Sequence, residues 1–217
     1  MPYYLCYCIV KENVMGLVIF GFPRSNFVRA VRMVAEEKGV DYELVAEMPH
    51  SDVVKGLNPT GKIPAMRHDG LELCESLAIA RYIDDAFDGP KMIPEDPKAA
   101  APVNRFTAFA ATEVDQLLMR NYVVEYAFHK DEDGNVVRTK IDKAIKRVPK
   151  LFARLESAGE PGCFGTSSFR MADCFVMPIL NATNMFDEGK EAIANSPKLN
   201  EYFAKMQERP SFQATAK

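Results

Sequence analysis

The sequence predicts an α/β domain with the element order βαβ-ββα, followed by an all-helical domain. Three observations predict it. A helical-period run lies between two short β-rich runs, at 17–21 and 42–45. Asp69-Gly70, the strongest short hairpin signal in the chain, separates two further apolar runs, 63–66 and 71–74. After the proline-rich segment 89–98, GPKMIPEDPK, only helical periodicity remains. The expected layout is an N-terminal extension at 1–14, the α/β domain at 15–93, a linker at 94–98 and the helical domain at 99–217.

The first strand is LVIFG, residues 17–21, broken by Phe22-Pro23-Arg24. From Ser25 the pattern turns helical, with Val28, Val31, Val34 and Ala35 on one face and Arg29, Arg32, Glu36 and Glu37 off it. Gly39 ends this helix as a left-handed cap. Tyr42 to Val45 alternates as a second strand, and a strand-helix-strand unit makes the two strands parallel. Ser25 stands where strand hands over to helix. It is read either as an N-cap or as a hydroxyl that, with the positive helix end, faces a bound anion.

The stretch NPTGKIPAMRHDGLELCES, residues 58–76, carries the most information. Asn58, Pro59 and Gly61 make a loop. Pro64 has no N–H for a sheet ladder and belongs at a strand start or edge. X-Pro is the peptide type that adopts cis, and a cis Ile63-Pro64 bond would leave the amide and carbonyl of Ile63 free for an extended peptide ligand. The strands at 63–66 and 71–74 pair antiparallel, and Ser76 is the expected N-cap of a helix reading Leu77, Ala78, Ile79, Tyr82, Ile83. Glu75 and Ser76 are read in two ways. They are a first-turn acid and a cap, or a carboxylate and hydroxyl that hold an α-amino acid head group beside free backbone N–H groups.

Composition bounds the class. The chain has 217 residues, 47% hydrophobic and 26% charged, which suits one large or two small domains with a real core. A formal charge of −3 gives no reason to expect a nucleic-acid partner, which would favour a basic patch. Cys6, Cys8, Cys74, Cys163 and Cys174 form neither a C-x-x-C pair nor a zinc spacing, and an odd count argues against a disulfide framework. The expected setting is therefore cytoplasmic and reducing. No run approaches the roughly 18 apolar residues of a membrane span. The opening MPYYLCYCIVKENV lacks the basic start and cleavage pattern of a signal peptide, and Met15 is an alternative start. No G-x-G-x-x-G, P-loop or clustered metal ligand is present, so neither a metal nor an organic cofactor is expected. The acidic loop KDEDGN, 130–135, lacks EF-hand spacing.

The helical part begins with an amphipathic stretch at 99–128, with Phe106, Phe109, Ala110, Val114, Leu117 and Leu118 at i, i+3, i+4 spacing. A second helix is expected at 141–155 despite Pro149, and a very apolar one at 171–186.

An NPxGxxP loop followed by a strand and an acidic-Ser pair resembles the glutathione-binding half of cytosolic glutathione transferases. GFPRSNFVRAVRMVAEEKGVDYELV is similar to the first βαβ unit of their serine-type, plant-type and zeta-type members. The resemblance runs from about Leu17 to Phe212. A βαβ unit followed by ββα is also the thioredoxin-like order. The resemblance implies that Ile63, ahead of Pro64, pairs through its backbone with the cysteinyl part of glutathione. Glu75 and Ser76 would take the γ-glutamyl end, and Lys62 would replace a residue that is often glutamine. His50, or alternatively Lys55, would meet the glycine carboxylate. Ser25 would stabilise the thiolate, with Asn26 as a second candidate. Glutathione would be a co-substrate, not a cofactor. The other partner would be a small hydrophobic electrophile between the domains, over Phe22, Phe27, Phe106, Phe109, Ala110 and Tyr122. Asp115 would approach glutathione from the partner subunit of a homodimer, or face solvent.

Two departures matter. Zeta-type isomerases carry Ser-Ser-Cys where this chain has Ser25-Asn26-Phe27, which counts against isomerisation of maleylacetoacetate. Family members specialised for thiol-disulfide exchange carry cysteine at the Ser25 place. The resemblance leaves open dehalogenation, peroxide reduction and a non-catalytic interaction or stress-response module.

Overall fold

The computed structural model describes residues 16–158 and 163–216. The expected N-terminal extension, with Cys6 and Cys8, lies outside the described residues. The chain begins with β1 (Leu17–Phe20), α1 (Asn26–Lys38), β2 (Tyr42–Val45), α2 (Asp52–Leu57), β3 (Ala65–His68), β4 (Leu71–Cys74) and α3 (Ser76–Ala86). The sheet order is β2-β1-β3-β4, with β1 parallel to β2 and antiparallel to β3. This is the thioredoxin-like arrangement that the element order predicts.

Strand alternation builds two cores. Leu17, Ile19 and Met66 join Val28, Val31 and Ile83 beneath α1 and α3, whereas Val18, Phe20 and Ala65 form a smaller cluster with Val45 and Leu57 on the α2 side. Gly39 caps α1 at φ 68°, in the left-handed region where a Cβ is unfavourable.

Two boundaries differ from the sequence reading. β3 starts at Ala65, after Pro64, because proline offers no N–H to the ladder. Ser76 is the first residue of α3 and Glu75 holds the cap position.

The helical part comprises α4 (Pro97–Phe109), a segment at Ala110–Val123 with π winding, α5 (Val124–Phe128), α6 (Thr139–Ile145), α7 (Val148–Ala158), α8 (Met171–Thr183), α9 (Asp187–Ala194), α10 (Pro197–Gln207) and α11 (Pro210–Thr215). α4, the π segment and α5 form the single long helical run expected at 99–128. Asp96 starts it, its Oδ2 accepting from Ala99 N at 2.8 Å. The helix expected at 141–155 is split in two, and Pro149 falls in the first turn of α7, where a missing N–H costs nothing. α8 ends at Thr183, three residues short of the expectation. Arg170 occupies its cap, and its backbone N–H donates to Asp173 Oδ2 at 2.8 Å, so the acidic half of a capping box works without a serine.

Buried polar contacts fasten the two parts. Lys38 and Asp84 form a buried ion pair at 3.4 Å, and Asp84 also accepts from Met92 N and Ile93 N, which ties α3 to the chain leading into α4. α1 packs on α8 and α11, and Arg209 and Ser211 both donate to Glu37.

Candidate functional site

Register brings the site together. Phe20 is opposite Val45 on one side and Ala65 on the other, and Ala65 is opposite Cys74. The ends of β1, β2 and β4 and the start of β3 therefore coincide. The loop before Ser25, the loop holding His50, the Ile63-Pro64 peptide and the Glu75-Ser76 pair all emerge at one end of the sheet. Gly21 permits the closest approach. A Cβ there would stand 2.5 Å from Val28 Cγ2 and 3.2 Å from Ile63 Cβ, so only glycine lets β1 finish against Ile63.

Ser25 holds the N-cap position of α1 at φ −63° and ψ 130°, with its N–H on Phe22 O and its carbonyl on Arg29 N, both at 2.9 Å. Its hydroxyl makes no capping bond and is half-buried. That leaves the hydroxyl and the first N–H groups of α1 open to a ligand. One turn on, Arg29 is 4% exposed, and burial together with the neighbouring Arg32 and Arg24 pushes its pKa down to about 10. It remains a cation at neutral pH. Asn26 is already engaged, donating from Nδ2 to Asp115 Oδ1 at 2.9 Å.

The Ile63-Pro64 peptide is cis, and the amide and carbonyl of Ile63 have no hydrogen-bond partner among the described residues. The preceding loop is braced by Asn58, whose Nδ2 donates to Lys62 O at 2.9 Å and whose Oδ1 accepts from Thr60 N and Oγ1. His50 joins it: its N–H donates to Gly61 O at 2.8 Å, and a Cβ on Gly61 would lie 2.2 Å from His50 Nδ1. Lys62 is exposed, and so is Lys55 in the last turn of α2.

Glu75 sits at φ 70° and ψ 112°, a conformation that costs a non-glycine residue about 1–3 kcal/mol and recurs where function requires it. Its side chain is exposed, whereas Ser76 is 9% exposed, and neither side chain has a partner among the described residues. The N-terminus of α3 opens at the same place.

The residues expected around the electrophile divide. Phe22 is 41% exposed, and Phe27 packs on Phe175 with ring centroids 6.2 Å apart. Phe106 and Phe109 are not gathered with them. They line a separate cavity of about 340 Å³ with Pro102, Arg105, Arg154, Ser157 and Gly165. Helical rise explains the separation: Phe106 lies nine residues before Asp115, the point of contact with α1, or roughly 10–14 Å along the axis. Ala110 is fully buried. Tyr122 is core, donating to Glu188 Oε2 at 3.2 Å and accepting from Gly189 N at 2.8 Å.

Arg120, Arg24 and Met185 were not among the site residues read from the sequence. Arg120 lies 5.8 Å from the Phe27 ring centroid and donates from Nε to Asp115 Oδ2 at 2.9 Å. Arg24 Nη2 reaches Met185 Sδ at 3.9 Å. The only signal for Arg120 was its five-residue spacing from Asp115, which α-helical periodicity passes over.

The family model described as glutathione S-transferase, N-terminal domain, matches residues 19–91. Maleylacetoacetate isomerase of Rattus norvegicus is 30% identical over 173 residues, covering 76% of this chain and 77% of the relative. A glutathione S-transferase of Triticum aestivum is 27% identical over 202 residues, covering 91% of each. Among solved structures, a glutathione transferase from Populus trichocarpa has the same fold, with TM-score 0.84, 23% identity and coverage of 92% of this chain and 97% of that one.

Proposed function

The chain belongs to the glutathione transferase family of enzymes, and from that premise we propose that it conjugates glutathione to small hydrophobic electrophiles, with Ser25 stabilising the thiolate. The observation that carries this reading is the free Ser25 hydroxyl at the head of α1, at the same sheet end as the unpaired Ile63 backbone and the Glu75-Ser76 pair. In this reading the cysteinyl backbone of glutathione lies along Ile63. The γ-glutamyl end meets Glu75, Ser76 and the N-terminus of α3, and His50 and Lys62 approach the glycine end, with Lys55 as the alternative to His50.

A free thiol titrates near 8.5 and is mostly protonated at neutral pH. A hydroxyl bond to the thiolate contributes about 1.5–3 kcal/mol and the helix end about 0.3–1. Together they lower the thiol pKa by about 1.5–3, at about 1.4 kcal/mol for each tenfold. With an aryl halide, the sulfur forms a C–S bond at the carbon bearing chlorine, the C–Cl bond breaks, and chloride leaves with the electron pair. The thiol proton goes to solvent. Nucleophilicity falls with thiol pKa, so juxtaposition of sulfur and carbon supplies the remainder of the rate.

A second reading, glutathione-dependent isomerisation, is favoured by the likeness to the rat isomerase. The sulfur would add to the substrate and leave again, with no glutathione consumed. Ser25-Asn26-Phe27 in place of Ser-Ser-Cys weighs against it.

A homodimer is part of this proposal, supported by Leu71 and Leu77, at 41% and 40% exposure on β4 and α3. A cytoplasmic setting is supported by Cys74, Cys163 and Cys174, all of them free thiols. No described helix is long and apolar enough to cross a membrane.

The test is turnover of chlorodinitrobenzene and retention on immobilised glutathione, each repeated with Ser25→Ala and Glu75→Ala. The reading holds if Ser25→Ala loses turnover but not retention and Glu75→Ala loses retention. Absence of both activities in the unmodified protein overturns it in favour of an interaction module.

A further inference from the structure

Asp115 and Arg120 stand five residues apart on the Ala110–Val123 segment. In an α-helix that spacing turns two side chains about 140° apart, whereas the i+5 repeat of π winding returns them to one face. The bond from Arg120 Nε to Asp115 Oδ2 at 2.9 Å follows from that winding, as does the bond from Gln116 Nε2 to Asn121 Oδ1.

The two ends of this pair live in different surroundings. The Asp115 side chain is 8% exposed and is held on its other oxygen by Asn26, itself 5% exposed. The Arg120 side chain is 47% exposed. Arg120 is thus anchored at Nε by a buried carboxylate, while its two Nη groups have no partner among the described residues. An arginine fixed in this manner presents a fork that matches the two oxygens of a carboxylate, with less conformational freedom to lose than a mobile surface side chain. Its guanidinium lies over Phe27, two residues beyond Ser25. On the other side of Ser25 in the chain, Arg24 has no carboxylate partner among the described residues and donates to Met185 Sδ. Apolar surface lies alongside, since Phe22 and Met185 are 41% and 58% exposed.

The geometry points to an electrophile that carries a carboxylate on an apolar body, with Arg120 as the specificity-determining residue and Asp115 as its positioning residue. This inference rests on the proposal that Ser25 activates glutathione, and it narrows the class of the second substrate. The bond changes are those of the conjugation step above. The carboxylate takes no part in them and only orients the carbon under attack.

The experiment compares kcat/KM for chlorodinitrobenzoate with that for the neutral chlorodinitrobenzene, each corrected for its rate with free glutathione. Because glutathione is common to both, the ratio isolates the carboxylate. The unmodified enzyme is expected to favour the benzoate, and added potassium chloride to lower the ratio. Arg120→Ala is expected to lower it about tenfold, the scale of a half-exposed charge-assisted pair, with Arg120→Lys retaining part of it. Asp115→Asn keeps an acceptor for Asn26 but releases Arg120, and is expected to lower the ratio about threefold in the native background and not at all in Arg120→Ala. A ratio unmoved by salt in the unmodified enzyme overturns the inference even if Arg120→Ala does not fold. So does a ratio unmoved by Arg120→Ala with a raised KM for glutathione, which would assign Arg120 to glutathione itself. Failure of the underlying proposal is a separate result, in which neither electrophile is turned over.

Discussion

Asn26 Nδ2 and Asp115 Oδ1 meet at 2.9 Å across the seam between α1 and the long helical run, with both residues buried. The residue directly after Ser25 is thereby fastened to the helical part of the molecule, and its side-chain amide is engaged by a buried carboxylate.

Ser25→Ala is expected to lower kcat/KM about 10- to 150-fold and to raise the apparent pKa of the bound thiol by about 1–2, as loss of one bond to a charged acceptor requires. Asn26→Ala removes a buried donor from Asp115 and is expected to destabilise the fold by about 1–3 kcal/mol while changing the thiol pKa little. Thiolate absorbance titrated against pH, together with denaturant unfolding, separates the two. A Ser25→Ala titration that overlays the unmodified enzyme would assign sulfur activation elsewhere.

Glu75 combines an exposed carboxylate with a φ of 70°. Glu75→Gly relieves backbone strain and removes the ligand group at once. Thermal stability is expected to stay level or rise, by up to about 1 kcal/mol after the entropy that glycine adds to the unfolded chain. Retention on immobilised glutathione is expected to fall at least as far as in Glu75→Ala. Equal losses of stability and retention would mean that the strain serves folding alone.

Gly61 has φ 68° and no space for a Cβ beside His50. Gly61→Ala is expected to cost about 1–3 kcal/mol, since it adds left-handed strain to a collision with the imidazole. KM for glutathione is expected to rise more than kcat falls, because the displaced loop carries Lys62 and leads into Ile63. Steady-state kinetics at varied glutathione decides it, a pure kcat effect being the contrary outcome.

Glu188 joins α9 to the long helical run by accepting from Tyr122 and Tyr126, and to the start of α6 by accepting from Arg138. Burial pushes its carboxyl pKa up, but the bonds from Tyr126 and Arg138 outweigh it and hold the folded value at about 2 against an ordinary 4.5. A carboxyl depressed in the folded state stabilises above its unfolded pKa, and that contribution fades as pH falls through the folded one. Unfolding free energy measured between pH 4.5 and 2 is therefore expected to decline less steeply in Glu188→Gln than in the unmodified protein. Parallel declines would show that Glu188 is not held ionised by its partners.

The half of the site built from backbone signals was legible in the sequence. Asp69-Gly70 set the β3–β4 hairpin, Gly39 ended α1, and Asn58-Pro59 with Pro64 marked the loop that the cis peptide closes. Each acts within a few residues of itself. The electrophile side was less legible. Phe106 and Phe109 sit at core spacing on the same helical run as Asp115, and periodicity places them on an apolar face without saying what that face meets. Arg120 was invisible for a sharper reason: a pairing at i+5 exists only where the helix is wound as π.

What the sequence by itself determined is the order of the elements and the chemical kind of residue at each loop, because hairpin, cap and breaker signals are local energies of a few residues. The resemblance had grouped Ser25, Ile63 and Glu75 around one ligand, but the tertiary structure supplied the register that brings them to one sheet end, and it alone decided that Asn26 answers to Asp115. Those outcomes depend on strand register and on contacts between residues as many as 89 positions apart, and no local propensity encodes such a contact.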